Sequence, residues 1–406
     1  MALSKFNVFI DDYGIVFNTL TGYAMALSRE EFEEMKRGNV PENLKDIIEE
    51  GFSSRGDEVE SLMAYALNKN VLEPTLLLTY NCNFDCIYCF QRGFRSNSSV
   101  SEEVVRGFIN YVRKNERGRK VRVTYFGGEP LLELRKIEEI SQQLQDLRYT
   151  FSVVTNGSLL TPSVVERLLG LGLTHVQVTL DGPEEVHDRR RYFTGGRGSF
   201  NVILGNLQKV QDKVNVVLRI NIDSKNLNEV EQLLRELSSR GITNVRLDPH
   251  LVHSNLYRHE YWENLIPSSK EAEVLFNFWE KAEKHGFQVP QDVFRLGICV
   301  AHVDEDIVVD PMGNIYPCWA FTGNPRYVKA RLLANGEVEV LKPELGARSV
   351  LKVMKSCTDC PFLPMCMGGC RFLAVLTGKG YHGVDCRKET LASLTKLMGA
   401  QLGKGR

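Results

Sequence analysis

Three cysteines stand close together in the first quarter of the chain, at Cys82, Cys86 and Cys89. Thiolates at this spacing suit soft metal centres, above all iron–sulfur clusters and zinc. A cubane cluster has four irons, so three protein ligands leave one iron open to a substrate or cofactor, just as a catalytic zinc keeps an open position. The alternative is a structural zinc knuckle whose fourth ligand lies elsewhere in the sequence.

The other seven cysteines lie near the end of the chain, at Cys299, Cys318, Cys357, Cys360, Cys366, Cys370 and Cys386. Glycine and proline are frequent around them, which predicts a loop-rich module that depends on metal for its fold. Two zinc ribbons are the alternative to iron–sulfur clusters here, because paired Cys-x2-Cys motifs also suit tetrahedral zinc.

The composition is that of an ordinary globular protein. The chain has 406 residues, with 50 Lys and Arg against 51 Asp and Glu, and 43% of its residues are hydrophobic. This balance gives no general attraction to nucleic acid or anionic lipid. Neither a membrane-spanning apolar run nor a secretory signal is present, so we expect a cytoplasmic protein that binds neither nucleic acid nor membrane. Thiols stay reduced in the cytosol, and the cysteines therefore indicate metal rather than disulfides.

The elements that position these cysteines follow a regular order. Six apolar strand patterns alternate with amphipathic helices, at residues 76–80, 121–126, 151–154, 176–180, 216–220 and 245–247. Six β/α units in succession predict an α/β protein built on a partial (β/α)6 TIM-like barrel, with its site at the C-terminal ends of the strands.

The flanking segments differ from this barrel. Strand patterns and then three helical patterns, the first opened by a capping box at Ser28, predict a small α+β unit with a winged-helix-like order. We therefore predict domains over 1–72, 73–288 and 289–406, the last loop-rich and closed by a helix near 388–402.

The spacing Cys-x3-Cys-x2-Cys, with Tyr88 just before the last cysteine, resembles the signature of the radical S-adenosylmethionine (SAM) enzymes. In that family the open iron chelates the amino and carboxylate groups of SAM. An injected electron then cleaves SAM to methionine and a 5′-deoxyadenosyl radical that abstracts hydrogen. The resemblance implies that Cys82, Cys86 and Cys89 hold the catalytic 4Fe–4S cluster and that a flavodoxin- or ferredoxin-type protein supplies the electron.

Further motifs resemble the same family and imply the SAM contacts. These residues lie beside the last of the three cysteines, at strand ends or close beyond them: Tyr88, Gly127, Gly128, Glu129, Pro130, Asn156, Thr179, Arg191, Arg219 and Asn221. The GGEP motif at 127–130 is expected to hold the SAM amino group through its backbone and the Glu129 carboxylate. Arg191 is the candidate partner of the SAM carboxylate, since a guanidinium fork suits that geometry. Arg219 and Asn221 either line the cavity or satisfy each other.

The spacing of the last seven cysteines resembles the SPASM domain, the auxiliary-cluster module of radical SAM peptide and protein maturases. By this resemblance one 4Fe–4S cluster is held by Cys357, Cys360, Cys366 and Cys386, and another by Cys299, Cys318 and Cys370. Together with the catalytic cluster this makes three. The second set is one ligand short, so either His302, Asp304 or Glu305 completes it, or an open iron binds a substrate thiolate or amide.

Two features indicate which kind of maturase this is. Anaerobic sulfatase maturases carry a catalytic aspartate directly after the cysteine equivalent to Cys318, where this chain has Trp319, so sulfatase maturation is disfavoured. The N-terminal unit resembles the elements that bind leader peptides by adding a strand to a sheet edge. An accessory domain that only packs on the barrel is the alternative.

The sequence thus predicts a maturase of ribosomally made peptides, resembling the sactipeptide and ranthipeptide thioether synthases. It would install a crosslink in a precursor peptide that carries a leader, a thioether first and a carbon–carbon or carbon–oxygen bond next. The alternatives are a protein maturase of the sulfatase (formylglycine) or quinohemoprotein type and, from another class, a non-catalytic iron–sulfur electron carrier or zinc scaffold.

Overall fold

The computed structural model describes the chain except residues 55, 68, 253–263, 290–295 and 405–406, and except the side chains of 398 and 400–404. Within the described residues, no helix combines the length and the apolar character that crossing a membrane requires.

The N-terminal unit is an antiparallel sheet followed by three helices. Its strands pair in chain order, β1 (Asn7–Ile10), β2 (Ile15–Asn18) and β3 (Ala24–Ala26). Its helices are α1 (Arg29–Lys36), α2 (Lys45–Gly51) and α3 (Glu58–Leu67). The predicted capping box opens α1, because Ser28 accepts the N–H of Glu31 while the Glu31 carboxylate accepts the N–H of Ser28.

A parallel sheet forms the centre of the molecule. After the short β4 (Val71–Leu72), its strands are β5 (Thr75–Leu77), β6 (Lys120–Phe126), β7 (Tyr149–Thr155), β8 (Leu173–Thr179), β9 (Asn215–Ile222) and β10 (Val245–Leu251). β5 to β10 are neighbours in chain order and coincide with the six predicted strands, which confirms the partial barrel. Because these strands are parallel, their C-terminal ends meet at one rim.

Helices cover the outside of this sheet. They are α4 (Glu102–Asn115), α5 (Leu134–Leu144), α6 (Pro162–Leu169), α7 (Glu184–Arg190), α8 (Phe200–Val210), α9 (Val230–Ser239) and α10 (Glu271–Lys284). Strand residues such as Val123 and Val153 are fully buried in one core with helix residues such as Phe108 and Ile140. Burial of the sheet by helices explains why the barrel strands are so apolar.

The cysteine-rich region continues the barrel sheet. β11 (Val308–Val309) pairs in parallel with β5, and β12 (Asn314–Tyr316), β13 (Ala330–Leu332) and β14 (Val338–Val340) follow antiparallel. The helices after them are α11 (Ala347–Val353), α12 (Leu363–Cys366), α13 (Arg371–Leu376) and α14 (Lys388–Lys404). The sequence predicts loops and the final helix but not these strands, which at two or three residues are too short to show an alternating pattern.

Candidate active site

A cavity of about 610 Å³ lies where the barrel rim meets the cysteine-rich region. Five cysteines line it, three from the loop after β5 and two from the C-terminal region: Cys82, Cys86, Cys89, Cys318 and Cys370. Two cysteine groups that are more than 200 residues apart in sequence therefore face one space.

The loop of the first three cysteines is fixed by its own backbone. Asp85 donates its N–H to Tyr192 O at 2.8 Å, and Ile87 donates to Arg190 O at 3.0 Å. Burial raises the pKa of Cys82 to about 12 and that of Cys86 to about 11. Buried thiols become thiolates only beside positive charge, which a metal centre supplies, so this donor set fits the predicted cluster.

The turn at Gly127-Gly128 lies directly against the backbone that leads into these cysteines. Gly128 donates its N–H to Thr79 O at 2.8 Å, and a Cβ on Gly128 would lie 2.1 Å from Asn81 O. Gly127 has φ +144°, and its Cβ would lie 2.5 Å from Thr79 O. The two glycines therefore permit a close backbone approach within the chain itself, and both also line the cavity.

Glu129 lies beneath the cavity and is not part of its wall. Its Oε1 accepts the N–H of Leu131 at 2.9 Å and the hydroxyl of Thr155 at 2.7 Å, and its Oε2 accepts the N–H of Asn156 at 2.7 Å. Burial raises the pKa of this carboxyl above its usual value. Glu129 therefore joins the ends of β6 and β7. Pro130 also lies outside the cavity wall, as the first residue of a short 3-10 turn.

Tyr88 connects the cysteine loop to three other elements. Its hydroxyl donates to Asp181 and accepts from Arg191 Nη1 at 2.9 Å and from Asn221 Nδ2 at 3.0 Å. The guanidinium of Arg190 lies over its ring, 5.1 Å from the centroid. Since Tyr88 adjoins Cys89 in sequence, these contacts hold the last cysteine in place relative to β8, α7 and β9.

The remaining predicted SAM contacts line the same cavity: Asn156, Thr179, Arg191, Arg219 and Asn221. Arg191 is buried, and its Nε has no hydrogen-bond partner in the described part of the chain. A buried donor without a protein partner fits a site for an acidic ligand group. Arg219 donates to Asp248 Oδ2 at 2.5 Å and to Asn221 Oδ1 at 3.3 Å, so Arg219 and Asn221 both line the cavity and contact each other.

A wall of three aromatic rings connects the two cysteine groups. Phe90 stacks on Phe126 with centroids 6.4 Å apart, and Phe126 stacks on Trp319 with centroids 5.3 Å apart. Phe90 directly follows Cys89 and Trp319 directly follows Cys318. Trp319 is held from behind, because its indole N–H donates to Thr75 Oγ1 at 3.0 Å.

The C-terminal cysteines fall into two groups according to which of them act electrostatically on one another. Burial is the main reason why the pKa of Cys318 is raised, and the charges of Cys370 and Cys299 raise it further. These three cysteines therefore lie close together. In the same way Cys360 and Cys386 raise the pKa of Cys357, and Cys357 raises that of Cys366. The four-cysteine set, which consists of Cys357, Cys360, Cys366 and Cys386, lies outside the cavity wall.

The three candidates for an additional ligand occupy different environments. His302 is buried, with Nδ1 3.3 Å from Cys299 Sγ and Nε2 3.2 Å from Met367 O. Asp304 accepts from Lys329 Nζ at 3.2 Å and from the N–H of Ala347 at 2.9 Å. Glu305 is paired with two arginines, Arg117 and Arg119. Among the three, His302 alone contacts a cysteine of the set.

Asp181 is a site residue that sequence reasoning did not single out. It is fully buried, and its carboxylate accepts from Tyr88, from Arg190 Nε at 3.4 Å and from the N–H of Asn221 at 3.1 Å. Its Asp-Gly sequence is typical of a turn, and only the hydroxyl and guanidinium groups brought to it by the fold reveal its role.

Comparison with known proteins agrees with this geometry. Residues 76–237 match the family model of the radical SAM superfamily. The chain is 25% identical over 334 residues to mycofactocin maturase MftC of Mycolicibacterium smegmatis, covering 76% of this chain and 80% of that protein. It is also 25% identical over 333 residues to the cysteine-type anaerobic sulfatase-maturating enzyme of Clostridium perfringens, covering 71% of this chain and 86% of that enzyme.

Solved structures share the fold. The enzyme anSMEcpe with bound AdoMet and Kp18Cys peptide aligns with a TM-score of 0.63 at 20% identity, over 83% of this chain and 100% of that chain. Streptococcus suis SuiB bound to precursor peptide SuiA aligns with a TM-score of 0.58 at 13% identity, over 95% of this chain and 99% of that chain. The family match, the strand-end motifs and the partial barrel agree that residues 76–237 form a radical SAM domain.

Proposed function

We propose that this enzyme matures a ribosomally made peptide by forming a crosslink at the cavity described above. The observation that carries the proposal is that Cys82, Cys86 and Cys89 share this cavity with Cys318 and Cys370. A substrate placed between them would lie within reach of both a hydrogen-abstracting radical and an electron acceptor.

The chain's own residues divide the cavity into a polar and an apolar part. Arg191, Asn156 and Thr179 are on the polar side, where a zwitterionic amino acid and a ribose require hydrogen bonds. Phe126 and Trp319 form the apolar side, where the substrate side chain would be held away from water. We assign SAM to the first part and the substrate residue to the second.

Cys82, Cys86 and Cys89 would hold a 4Fe–4S cluster, which when bound would supply the electron for SAM cleavage, and the C-terminal cysteines would hold auxiliary clusters able to take up an electron. For a thioether the balance closes as follows. A peptide C–H would give its hydrogen atom to the 5′-deoxyadenosyl radical, a cysteine S–H would lose its proton, the S–C bond would form, and one electron would leave the substrate for the centre held by the C-terminal cysteines. A carbon–carbon or carbon–oxygen crosslink needs the same two-hydrogen loss.

The N-terminal sheet is the proposed binding place of a leader peptide. β3 pairs with β2 on one side, and no strand of the described chain pairs with its other edge. An extended peptide can add to such an edge through backbone hydrogen bonds. SuiB, whose fold covers 95% of this chain, is known bound to its precursor peptide, which supports a peptide substrate here.

Protein maturation of the sulfatase type is the second candidate, favoured by the similarity to the Clostridium perfringens enzyme. Trp319 argues against it. The residue after Cys318 is an indole hydrogen-bonded to Thr75, and it cannot act as a base.

The test is anaerobic reconstitution followed by reaction with SAM, a reductant of the flavodoxin or ferredoxin type, and precursor peptides encoded beside the gene. We expect about twelve irons per chain, 5′-deoxyadenosine, and a peptide lighter by two hydrogens in mass spectrometry. The same core peptide without its leader should be modified far more slowly, and equal rates would contradict the leader assignment. Bound zinc without SAM cleavage would contradict the enzymatic proposal as a whole.

A further inference from the structure

Arg371, the first residue of α13, has a buried guanidinium that holds two loops together. Its side chain is 2% exposed. Nη1 donates to Tyr381 O at 3.1 Å and Gly383 O at 2.7 Å, while Nη2 donates to Gly369 O at 3.1 Å and also to Gly368 O. One cation thus links the turn before α13 to the segment before α14.

These two loops carry cysteines of both C-terminal sets. The turn contains Gly369, with φ +83°, where an added Cβ would lie 1.9 Å from Asp385 O. Gly369 precedes Cys370 of the three-cysteine set, and Asp385 precedes Cys386 of the four-cysteine set. Arg371 therefore lies beside the contact between the backbone that precedes Cys370 and the backbone that precedes Cys386.

The charge of Arg371 lacks a partner of opposite sign among the described residues. No carboxylate there forms an ion pair with it, and its Nε is buried without any hydrogen-bond partner. A buried cation solvated only by carbonyl groups is unfavourable unless negative charge lies nearby. The negative charge that this part of the fold can supply is that of the cysteine thiolates and of the Asp385 carboxylate, whose Oδ2 accepts the N–H of Cys370 at 3.1 Å.

Arg371 lies beside both cysteine sets. It directly follows Cys370 of the three-cysteine set in the chain. Its Nη1 donates to Gly383 O at 2.7 Å, in the segment that leads to Cys386 of the four-cysteine set. One guanidinium is therefore placed close to ligands of both sets.

We propose that Arg371 is a positioning residue that provides a shared counter-charge for both auxiliary clusters and raises their reduction potentials. A thiolate-bound cluster becomes more negative when it is reduced, so a fixed buried cation stabilises the reduced form more than the oxidised one. Both clusters become better acceptors for the substrate electron. This inference rests on the two auxiliary clusters of the proposed function.

The experiment compares Arg371→Gln, which removes the charge, with Arg371→Lys, which keeps it, in the reconstituted full-length enzyme. Arg331→Gln removes an exposed arginine from β13 and is the matched control. Iron content and redox titration followed by electron paramagnetic resonance are measured on each. We expect Arg371→Gln to shift the midpoint potentials of both auxiliary clusters to more negative values, with the potential of the SAM cluster unchanged. Arg371→Lys should keep both midpoint potentials close to the wild-type values, and Arg331→Gln should not change them.

Arg371→Gln that titrates like wild type overturns the inference. If Arg371→Gln instead loses auxiliary iron, the iron content of Arg371→Lys distinguishes the role of the charge from that of the hydrogen-bond geometry. Recovery of iron with lysine supports the role of the charge, whereas an equal loss with lysine shows that only the donor geometry matters and overturns it. Wild-type enzyme that holds only the SAM cluster would overturn the auxiliary clusters of the proposed function, and this inference with them.

Discussion

Tyr88 shows how a single residue can fix the geometry of the candidate active site. It adjoins a cluster cysteine in sequence, and its hydroxyl reaches Asp181, Arg191 and Asn221 on elements that follow far along the chain. Arg191 also faces the cavity with an unpartnered Nε. The residue that orients the cysteine loop thus also orients the candidate partner of the SAM carboxylate.

We expect Tyr88→Phe to lower the free energy of unfolding by about 1–3 kcal/mol and to weaken SAM binding, because buried partners lose a hydrogen bond. Anaerobic denaturant titration and equilibrium SAM binding measure the two effects. Tyr65→Phe is the control, since Tyr65 is 61% exposed, and should change stability by less than about 0.5 kcal/mol. Equal stability of the two variants would contradict the role of the Tyr88 hydroxyl.

His187 predicts an acid-dependent loss of stability. Its Nδ1 accepts the N–H of Asp181 at 3.2 Å, and burial together with the charges of Arg191 and Arg190 holds its pKa well below the usual value. Below about pH 6.5 the unfolded chain binds a proton at this histidine while the folded chain does not. The contribution of His187 to the free energy of unfolding is therefore present above that pH and is lost as the pH falls.

Between pH 7.5 and 5.5 we therefore expect the wild type to lose about 1 kcal/mol more unfolding free energy than His187→Gln. The exposed His382→Gln should keep the wild-type pH dependence. Denaturant titrations across this range give the slopes, and a His187→Gln slope equal to that of the wild type would disprove the assignment.

At the level of elements, α3 joins the N-terminal unit to the cysteine-rich region. Leu62 and Ala66 of α3 are buried in one cluster with Leu363 and Met367, which flank Cys366. The helix is therefore part of the support of the four-cysteine set as well as of the N-terminal sheet.

We expect Leu62→Ala to destabilise the protein by about 2–4 kcal/mol and to reduce iron retention at the four-cysteine set, because it leaves a cavity beside α12. Leu67→Ala, on the same helix at a residue 48% exposed, is the control and should retain wild-type iron. Thermal denaturation and iron analysis test this, and unchanged iron in Leu62→Ala would show that α3 does not support the cluster loops.

In the whole molecule, the barrel and the cysteine-rich region share one sheet through the pairing of β11 with β5. β5 leads into Cys82, and β12, the strand after β11, leads into Cys318. The pairing therefore brings both cysteine groups to one cavity while keeping their ligand sets separate.

Because the sets are separate, the variant with Cys82, Cys86 and Cys89 all replaced by Ala should retain roughly two thirds of the iron, about eight atoms per chain, and release no 5′-deoxyadenosine. Iron analysis and chromatography of the SAM products measure this. Loss of all iron would show that the three sites do not fill independently.

The sequence by itself determined the features that depend on local spacing. The six barrel strands follow from apolar runs between amphipathic helices, and the radical SAM domain follows from Cys82, Cys86 and Cys89 with the Gly127–Pro130 motif; structure and comparison confirm both. Both signals can be read within a few residues, and neither requires knowledge of what the segment contacts.

Only the tertiary structure decided the features that depend on distant contacts. Asp181 looks like a turn residue and Arg371 like any arginine until the fold buries them, and Glu129 proved to join two strands beneath the cavity. The strands β11 to β14 are too short to show a pattern in the sequence. The extended conformation of β11 is therefore determined by its pairing with β5. The free energy of a buried charge depends on all the groups around it, and here those groups come from distant parts of the chain.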